Sequence, residues 1–230
     1  MKTKILRASL IVLALSASAL VFGQASMTLT SGGGNIFGDV YIGPYTALIN
    51  GVSTEVICDD YLNETYLNES WTATETTVGS SATAMFGAAN SQQYDEVAWL
   101  ATQLLSGSSR YCTAATTDCT ADIQYAIWDV FDGSASNGVG TSNDQANIAA
   151  WLSAAENNTY TTGEFSFVDI YTPTGTPAGY SGPPQEFIVV DPPVSSPEPP
   201  ALALLGVDFG CIAAAILILA RRRKANSEPI

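Results

Sequence analysis

Apolar and polar positions along residues 26–190 change period twice, which divides this region into three parts. The first and last parts contain short runs rich in aromatic and β-branched residues, a pattern typical of strands. Asn50-Gly51 lies between two of these runs and is the strongest short-range signal for a hairpin. The runs cover residues 27–30, 41–49, 53–57, 71–78, 164–171 and 187–190.

The middle part has apolar residues at intervals of three and four, which predicts amphipathic helices. The first helix carries Tyr94, Val97, Ala98, Ala101, Leu104 and Leu105 on one face. A second helix is expected over residues 121–131, with Ile123, Ile127, Val130 and Phe131 buried, and a third over residues 144–155. Strands followed by helices and then by strands predict an α+β domain, a β-sandwich or barrel with a helical insertion.

The N-terminus has the three parts of a secretory leader. Lys2, Lys4 and Arg7 precede an apolar run that ends at Phe22, and small residues including Ala25 follow. This order predicts a signal peptide over residues 1–25 and an exported mature chain.

The C-terminus carries a second, more specific arrangement. Pro197-Glu198-Pro199 precedes an apolar segment over residues 201–220, and Arg221, Arg222, Arg223 and Lys224 follow it. A helix of about 20 residues rises roughly 30 Å and matches a bilayer core. The basic cluster stops translocation and keeps residues 221–230 on the cytoplasmic side. The alternative to a processed segment is a permanent single-span anchor with the same topology.

This order of motif, apolar helix and arginine cluster resembles the PEP-CTERM sorting signal of Gram-negative bacteria. The resemblance implies recognition by exosortase, a membrane peptidase that cuts near the Pro-Glu-Pro motif. It also implies a transient stay in the inner membrane, followed by release to the envelope surface or the extracellular matrix. Residues 191–200 then form a Pro-rich linker between the exported domain, residues 26–190, and the membrane.

The charge of the exported region is strongly acidic. Of the 22 acidic residues, only Glu198, Asp208 and Glu228 lie outside residues 26–196, and of the eight basic residues only Arg110 lies within them. Such a surface repels nucleic acid and anionic lipid, keeps a secreted protein soluble, and attracts cations, including amines. No nucleic-acid partner is expected.

The cysteine count leaves one thiol over in an oxidising compartment. Cys211 belongs to the apolar C-terminal segment, and Cys112 and Cys119 enclose a short loop that a disulfide could close. Cys58 then remains. It is either buried and inert, paired between molecules, or used chemically.

The segment Ile123-Gln124-Tyr125-Ala126-Ile127-Trp128 resembles the Gln-x-Ala-Ile-Trp signature of thioester domains in bacterial surface adhesins. In that family the glutamine is joined to a cysteine at the end of a strand. The resemblance therefore implies an internal thioester between Cys58 and Gln124. Trp128 lies one helical turn from Gln124, so that it and Tyr125 are expected to shield the bond from water.

The absence of histidine excludes the usual Ser-His and Cys-His catalytic sets and any His-liganded metal. A two-carboxylate glycosidase needs no histidine, but nothing in the sequence pairs two carboxylates convincingly. The oxygen ligands around residues 129–144 do not match the spacing of an EF-hand Ca²⁺ loop. We expect no enzymatic activity, no metal and no cofactor. The expected function is that of an adhesin-like surface or biofilm-matrix protein that attaches covalently to amines or hydroxyls. The alternative is a non-covalent structural or carbohydrate-binding matrix protein.

Overall fold

A computed structural model describes residues 23–80, 83–113 and 118–191 of the chain. The strands are β1 (Gln24–Ser31), β2 (Asn35–Phe37), β3 (Val40–Ile42), β4 (Tyr45–Ile49), β5 (Val52–Cys58), β6 (Ser70–Thr77), β7 (Val168–Pro173) and β8 (Phe187–Val190). The helices are α1 (Ser91–Leu105), α2 (Cys119–Phe131) and α3 (Ser142–Glu156), and a short 3₁₀ helix (Ala88–Asn90) precedes α1.

Six of these strands close into an antiparallel barrel in the order β1-β4-β5-β8-β7-β6. The three α-helices are inserted between β6 and β7. The predicted α+β class with a helical insertion is confirmed. Of the two architectures that the sequence left open, the described residues form the barrel, which has no unpaired sheet edge.

The predicted hairpin at Asn50-Gly51 joins β4 to β5, with Ile49 paired to Val52. Both turn residues have positive φ, 52° and 82°, as a two-residue hairpin turn requires. The single strand expected over residues 41–49 is wrong. It is interrupted at Gly43-Pro44, so that β3 pairs with β2 in a separate two-stranded sheet while β4 enters the barrel. A proline has no N–H for a ladder, which explains the break.

Helix α2 is the central helix of the insertion and packs against both α1 and α3. Every residue from Ala121 to Asp129 is buried, whereas Val130 and Phe131, both expected in the buried stripe, are only partly buried. The single stripe expected for this helix was therefore too narrow. Asp118 begins the helix by accepting hydrogen bonds from the backbone N–H groups of Thr120 and Ala121. Such a cap satisfies N–H groups that the first helical turn leaves without partners.

The predicted boundary of the signal peptide falls inside β1. Gln24 and Ala25 pair with Thr74 and Ala73 of β6, and Ala25 is buried. The rest of the predicted leader, most of the linker, the apolar segment at 201–220 and the basic stub lie outside the described residues. None of the helices in the described part of the chain is both long and apolar enough to cross a membrane.

Candidate functional site

Cys58 is the last residue of β5, at the point where this strand passes from solvent into the interior. The strand begins exposed, but Val56, Ile57 and Cys58 are all buried. Successive side chains of a strand point to opposite faces, so three buried residues in a row require cover on both sides. All three residues belong to the hydrophobic core, and Trp128 of α2 lies against the Cys58 side chain. Cys58 is a free thiol with no exposed surface.

Gln124 of α2 reaches this strand end. Its side-chain Nε2 donates a hydrogen bond of 2.7 Å to the backbone oxygen of Cys58, and its Oε1 has no hydrogen-bond partner among the described residues. The residue is fully buried. Buried side-chain polar atoms nearly always have partners, so an unsatisfied carbonyl here is unusual for a glutamine that serves only packing.

The thiol of Cys58 is held in its neutral form. Its Sγ donates to the backbone oxygen of Asp60 at 3.1 Å. Burial raises the pKa of the Cys58 thiol well above its ordinary value, and the carboxyl groups of Asp59 and Asp60 raise it further, while the neighbouring Trp128 indole acts in the opposite direction. A buried, neutral thiol does not react with solutes from solution, because the thiolate is the nucleophile.

Aromatic rings cover the site on the side of α2. Tyr125 and Trp128, the two residues predicted as a shield, form an edge-to-face pair with ring centroids 4.9 Å apart. Tyr61 packs on both of them, at 6.4 Å from Tyr125 and 5.2 Å from Trp128. The Tyr125 hydroxyl donates to the backbone oxygen of Phe37 at 3.1 Å, which ties the β2–β3 sheet to this cover. Sequence reasoning missed Tyr61, although it follows Cys58 by three residues.

An open groove of about 580 Å³ lies on the outer side of this aromatic cover. Trp128, Tyr45, Tyr61 and Phe187 contribute to its walls, and Tyr66 is half exposed in it. Its charged lining residues are acidic. The remaining lining residues that bear on its chemistry are Asp39, Tyr41, Leu62, Asn63, Glu64 and Gln185. Access from solvent to Cys58 and Gln124 through this groove would require movement of the aromatic cover.

A buried pair of carboxyl groups, Asp59 and Glu186, lies next to Cys58 where β5 pairs with β8. Glu186 accepts hydrogen bonds from the Tyr94 hydroxyl at 2.6 Å, from the Met85 N–H at 2.7 Å and from the Thr172 hydroxyl. Asp59 is fully buried near it, and neither carboxyl oxygen of Asp59 has a hydrogen-bond partner in the described part of the chain. Burial and the neighbouring Glu186 raise the pKa of Asp59 well above its ordinary value. Nothing in the sequence indicated Glu186, because β8 meets β5 only through closure of the barrel.

Cys112 and Cys119 form a disulfide in the structure, with Cα atoms 5.8 Å apart. The bond fixes the first residue of α2 to the segment that follows α1. The Trp151 indole N–H of α3 donates to Cys112 Sγ at 3.3 Å. The segment after α1 and helix α3 therefore both contact the N-terminal end of α2, one turn before Gln124.

The predicted sorting residues, Pro197, Glu198, Pro199 and Arg221 to Arg223, lie outside the described residues. The structure therefore brings together Cys58, Gln124, Tyr125 and Trp128 and leaves the C-terminal motif a prediction. No family model matches this chain, and no curated protein matches it either.

Proposed function

We propose that this chain is an exported, adhesin-like surface or matrix protein whose barrel domain carries an internal thioester between Cys58 and Gln124. The bond stores an acyl group that a target amine or hydroxyl takes up, which attaches the protein covalently to its target. The observation that carries this proposal is the 2.7 Å hydrogen bond from the Gln124 carboxamide to the backbone of Cys58, the one free cysteine among the described residues.

Formation of the bond balances without a further reactant. Cys58 Sγ attacks Cδ of Gln124, the Sγ–Cδ bond forms, and the Cδ–Nε2 bond breaks. The leaving nitrogen departs as ammonia with the thiol proton. The hydrogen bond from Gln124 Nε2 to the Cys58 backbone oxygen holds the glutamine at this strand end before reaction, and such positioning lowers the entropic part of the barrier.

Capture of a target reverses the roles of sulfur and nitrogen. An amine attacks Cδ of Gln124, the Sγ–Cδ bond breaks, and Cys58 regains its proton from the amine. The product is an amide between Gln124 and the target, or an ester where the nucleophile is a hydroxyl. Asp39 and Glu64 in the groove favour the approach of a cationic amine over that of an anion.

The lack of nucleophilic side chains in the exported domain favours survival of the thioester. The chain has no histidine, and all its lysines lie in the predicted leader or the basic stub. The exported domain therefore carries neither of the side chains most able to discharge the thioester internally. The aromatic cover of Tyr61, Tyr125 and Trp128 keeps water from Cδ, the other nucleophile that would consume the bond.

Export and sorting complete the proposal. The leader over residues 1–25 directs secretion, and an exosortase-type peptidase cuts near Pro197-Glu198-Pro199 after the segment at 201–220 has inserted. The protein then leaves the inner membrane for the cell envelope surface or the extracellular matrix. Its target there is a surface ligand or extracellular polysaccharide.

Intact mass tests the covalent part directly. The purified protein should be one ammonia lighter than its sequence with the disulfide formed, and treatment with methylamine should add one methylamine. Cys58→Ala and Gln124→Ala should each show the full mass and take up no methylamine. A wild-type protein of full mass, with a Cys58 thiol that alkylates only after unfolding, contradicts the proposal.

A non-covalent binding role is the second candidate, and the groove favours it. Exposed rings at Tyr41 and Tyr66 beside Asn63 and Gln185 combine apolar faces with hydrogen-bonding groups, as small-molecule and sugar sites do. In that case a ligand would bind equally to wild type and Cys58→Ala. Release of all bound ligand on denaturation would then separate this role from covalent attachment.

A further inference from the structure

We infer that Gly43 is a positioning residue for the Gln124 carboxamide, because only a residue without a side chain leaves room for that group beside Cys58. The inference rests on the proposed thioester and extends it to a third residue, which lies 81 positions before Gln124 in the chain and directly beside it in the fold. No motif around Gly43 indicated such a role.

Neighbouring atoms lie very near the position that a side chain at residue 43 would occupy. A Cβ atom built on Gly43 would lie 2.5 Å from Oε1 of Gln124 and 3.1 Å from Cε2 of Tyr45. Non-bonded carbon and oxygen atoms do not approach to 2.5 Å, so one of the groups would have to move. Gly43 is not among the residues with positive φ. Glycine is therefore required here for lack of space and not for a left-handed backbone conformation.

The Gln124 side chain is the group that would move. Tyr45 is buried, and its hydroxyl donates to the Tyr41 backbone oxygen at 2.7 Å, which holds the ring in place. The Gln124 carbonyl oxygen has no hydrogen-bond partner among the described residues, and the side-chain nitrogen is held by one hydrogen bond to the Cys58 backbone oxygen. A methyl group at position 43 therefore displaces the carboxamide from its place beside the Cys58 backbone while leaving the Tyr45 ring in place.

Displacement of this kind acts on bond formation more than on folding. Sulfur attacks the carbonyl carbon only from about 3 to 3.5 Å, and a misplacement of about 1 Å costs roughly a hundredfold in rate. Gly43→Ala should therefore slow the loss of ammonia by about a hundredfold. Gly175→Ala is the matched control, since a Cβ there meets nothing within 4 Å and its φ is also not positive.

The first measurement is the fraction of ammonia-lighter protein against time after oxidative refolding of the full chain, for wild type, Gly43→Ala and Gly175→Ala. The inference predicts that Gly43→Ala stays at full mass while the control follows wild type. Formation of the bond by Gly43→Ala at the wild-type rate overturns it.

A second measurement is independent of the thioester. In a Cys58→Ala background, which cannot form the bond, thermal unfolding is compared for Gly43→Ala alone and for Gly43→Ala with Gln124→Ala. With Gln124 present, Gly43→Ala should lower the Tm. With Gln124→Ala already in place, the further Tm loss caused by Gly43→Ala should be much smaller, because the carbonyl that the methyl group meets has been removed. Equal losses with and without Gln124 would assign the collision to Tyr45 and overturn the inference.

These two measurements separate the possible failures. Full mass in wild type defeats the proposed thioester, and the thermal comparison still decides whether Gly43 seats the carboxamide. If Gly43→Ala does not fold, folding of the Gly43→Ala, Gln124→Ala pair supports the inference, whereas failure of both variants overturns it.

Discussion

Tyr61 packs on Trp128 with their ring centroids 5.2 Å apart, so that the loop after Cys58 closes over the helix that carries Gln124. The contact joins the two chain segments of the proposed thioester a second time, on its solvent side. Trp128 is almost fully buried, and Tyr61 is only partly so. Tyr61 is therefore the outermost part of the cover.

Replacement of Tyr61 tests this role of the cover. Tyr61→Ala should speed both hydrolysis of the thioester and its reaction with methylamine, because the truncated side chain uncovers one face of Trp128. The expected increase is about tenfold, which corresponds to about 1.4 kcal/mol of lost protection. Time-resolved intact mass at fixed methylamine concentration measures both rates.

Tyr66→Ala is the matched control, since Tyr66 lines the same groove and is half exposed. Its ring stacks on Tyr180 and not on Trp128. Equal rates for the two variants would show that the groove as a whole, and not the Tyr61–Trp128 contact, limits access.

The fold class could be predicted because it is encoded in local patterns, whereas Cys58 and Gln124 were paired only through the resemblance of one short motif to thioester domains. The change from strand-like to helical periodicity marks the insertion, and Gln124 and Trp128 lie within one short motif. Gly43, Tyr61 and Glu186 were missed because their roles arise from contacts between distant segments. The β5–β8 pairing that brings Glu186 beside Asp59 is a product of barrel closure, which periodicity does not encode.

Helix α2 illustrates the same limit. Its apolar stripe was recognised, but its polar residues Asp122, Gln124 and Asp129 are buried as well. A helix covered by two neighbours and by a barrel has no solvent face, and an amphipathic pattern cannot show where neighbours add cover. The burial of Gln124 was therefore not predictable from the stripe alone.

Asp59 should make the domain more stable in mild acid than at neutral pH. Its folded pKa is raised above 3.8 by burial and by Glu186, so the folded state keeps a proton that the unfolded chain has released. Folding then takes up a proton, and the stability contribution, complete below pH 3.8, is lost as the pH rises through the folded pKa.

Asp59→Asn should remove this part of the pH dependence and stabilise the domain at pH 7. The gain comes from removal of the proton uptake on folding, in which each pKa unit of difference between the folded and unfolded carboxyl corresponds to about 1.4 kcal/mol. Urea unfolding between pH 4 and pH 8 measures the slope. Asp39→Asn, at an exposed aspartate, is the control and should leave the slope near that of wild type. An unchanged slope in Asp59→Asn would show that Glu186 alone titrates over this range.

Sorting can be tested on the C-terminus of the recovered protein. If the Pro-Glu-Pro motif directs cleavage, protein released to the medium should end near residues 197–200, while a membrane-bound precursor retains residues 201–230. Mass spectrometry of C-terminal peptides from both fractions distinguishes the two forms. Glu198→Ala should increase the membrane-bound share, and Glu228→Ala, in the basic stub, should not. A released form that still contains residues 221–230 contradicts exosortase-type processing.

The disulfide should stabilise the end of α2 that holds Gln124. Cys112 and Cys119 close a loop with a sequence separation of 7, for which loop-closure entropy gives about 2 to 3 kcal/mol. The double variant Cys112→Ser, Cys119→Ser should lose about this much free energy of unfolding in urea, and reduction of the wild-type protein should give the same loss.

Because α2 begins at Cys119, a looser first turn should also lower the yield of ammonia-lighter protein, since Gln124 lies in the next turn. Cys58→Ser unfolded in the presence and absence of reductant is the control, because it keeps the disulfide but lacks the Cys58 thiol and should show the full reductant-dependent loss. A double variant as stable as wild type would mean that the Asp118 cap already holds this end of the helix without the bond.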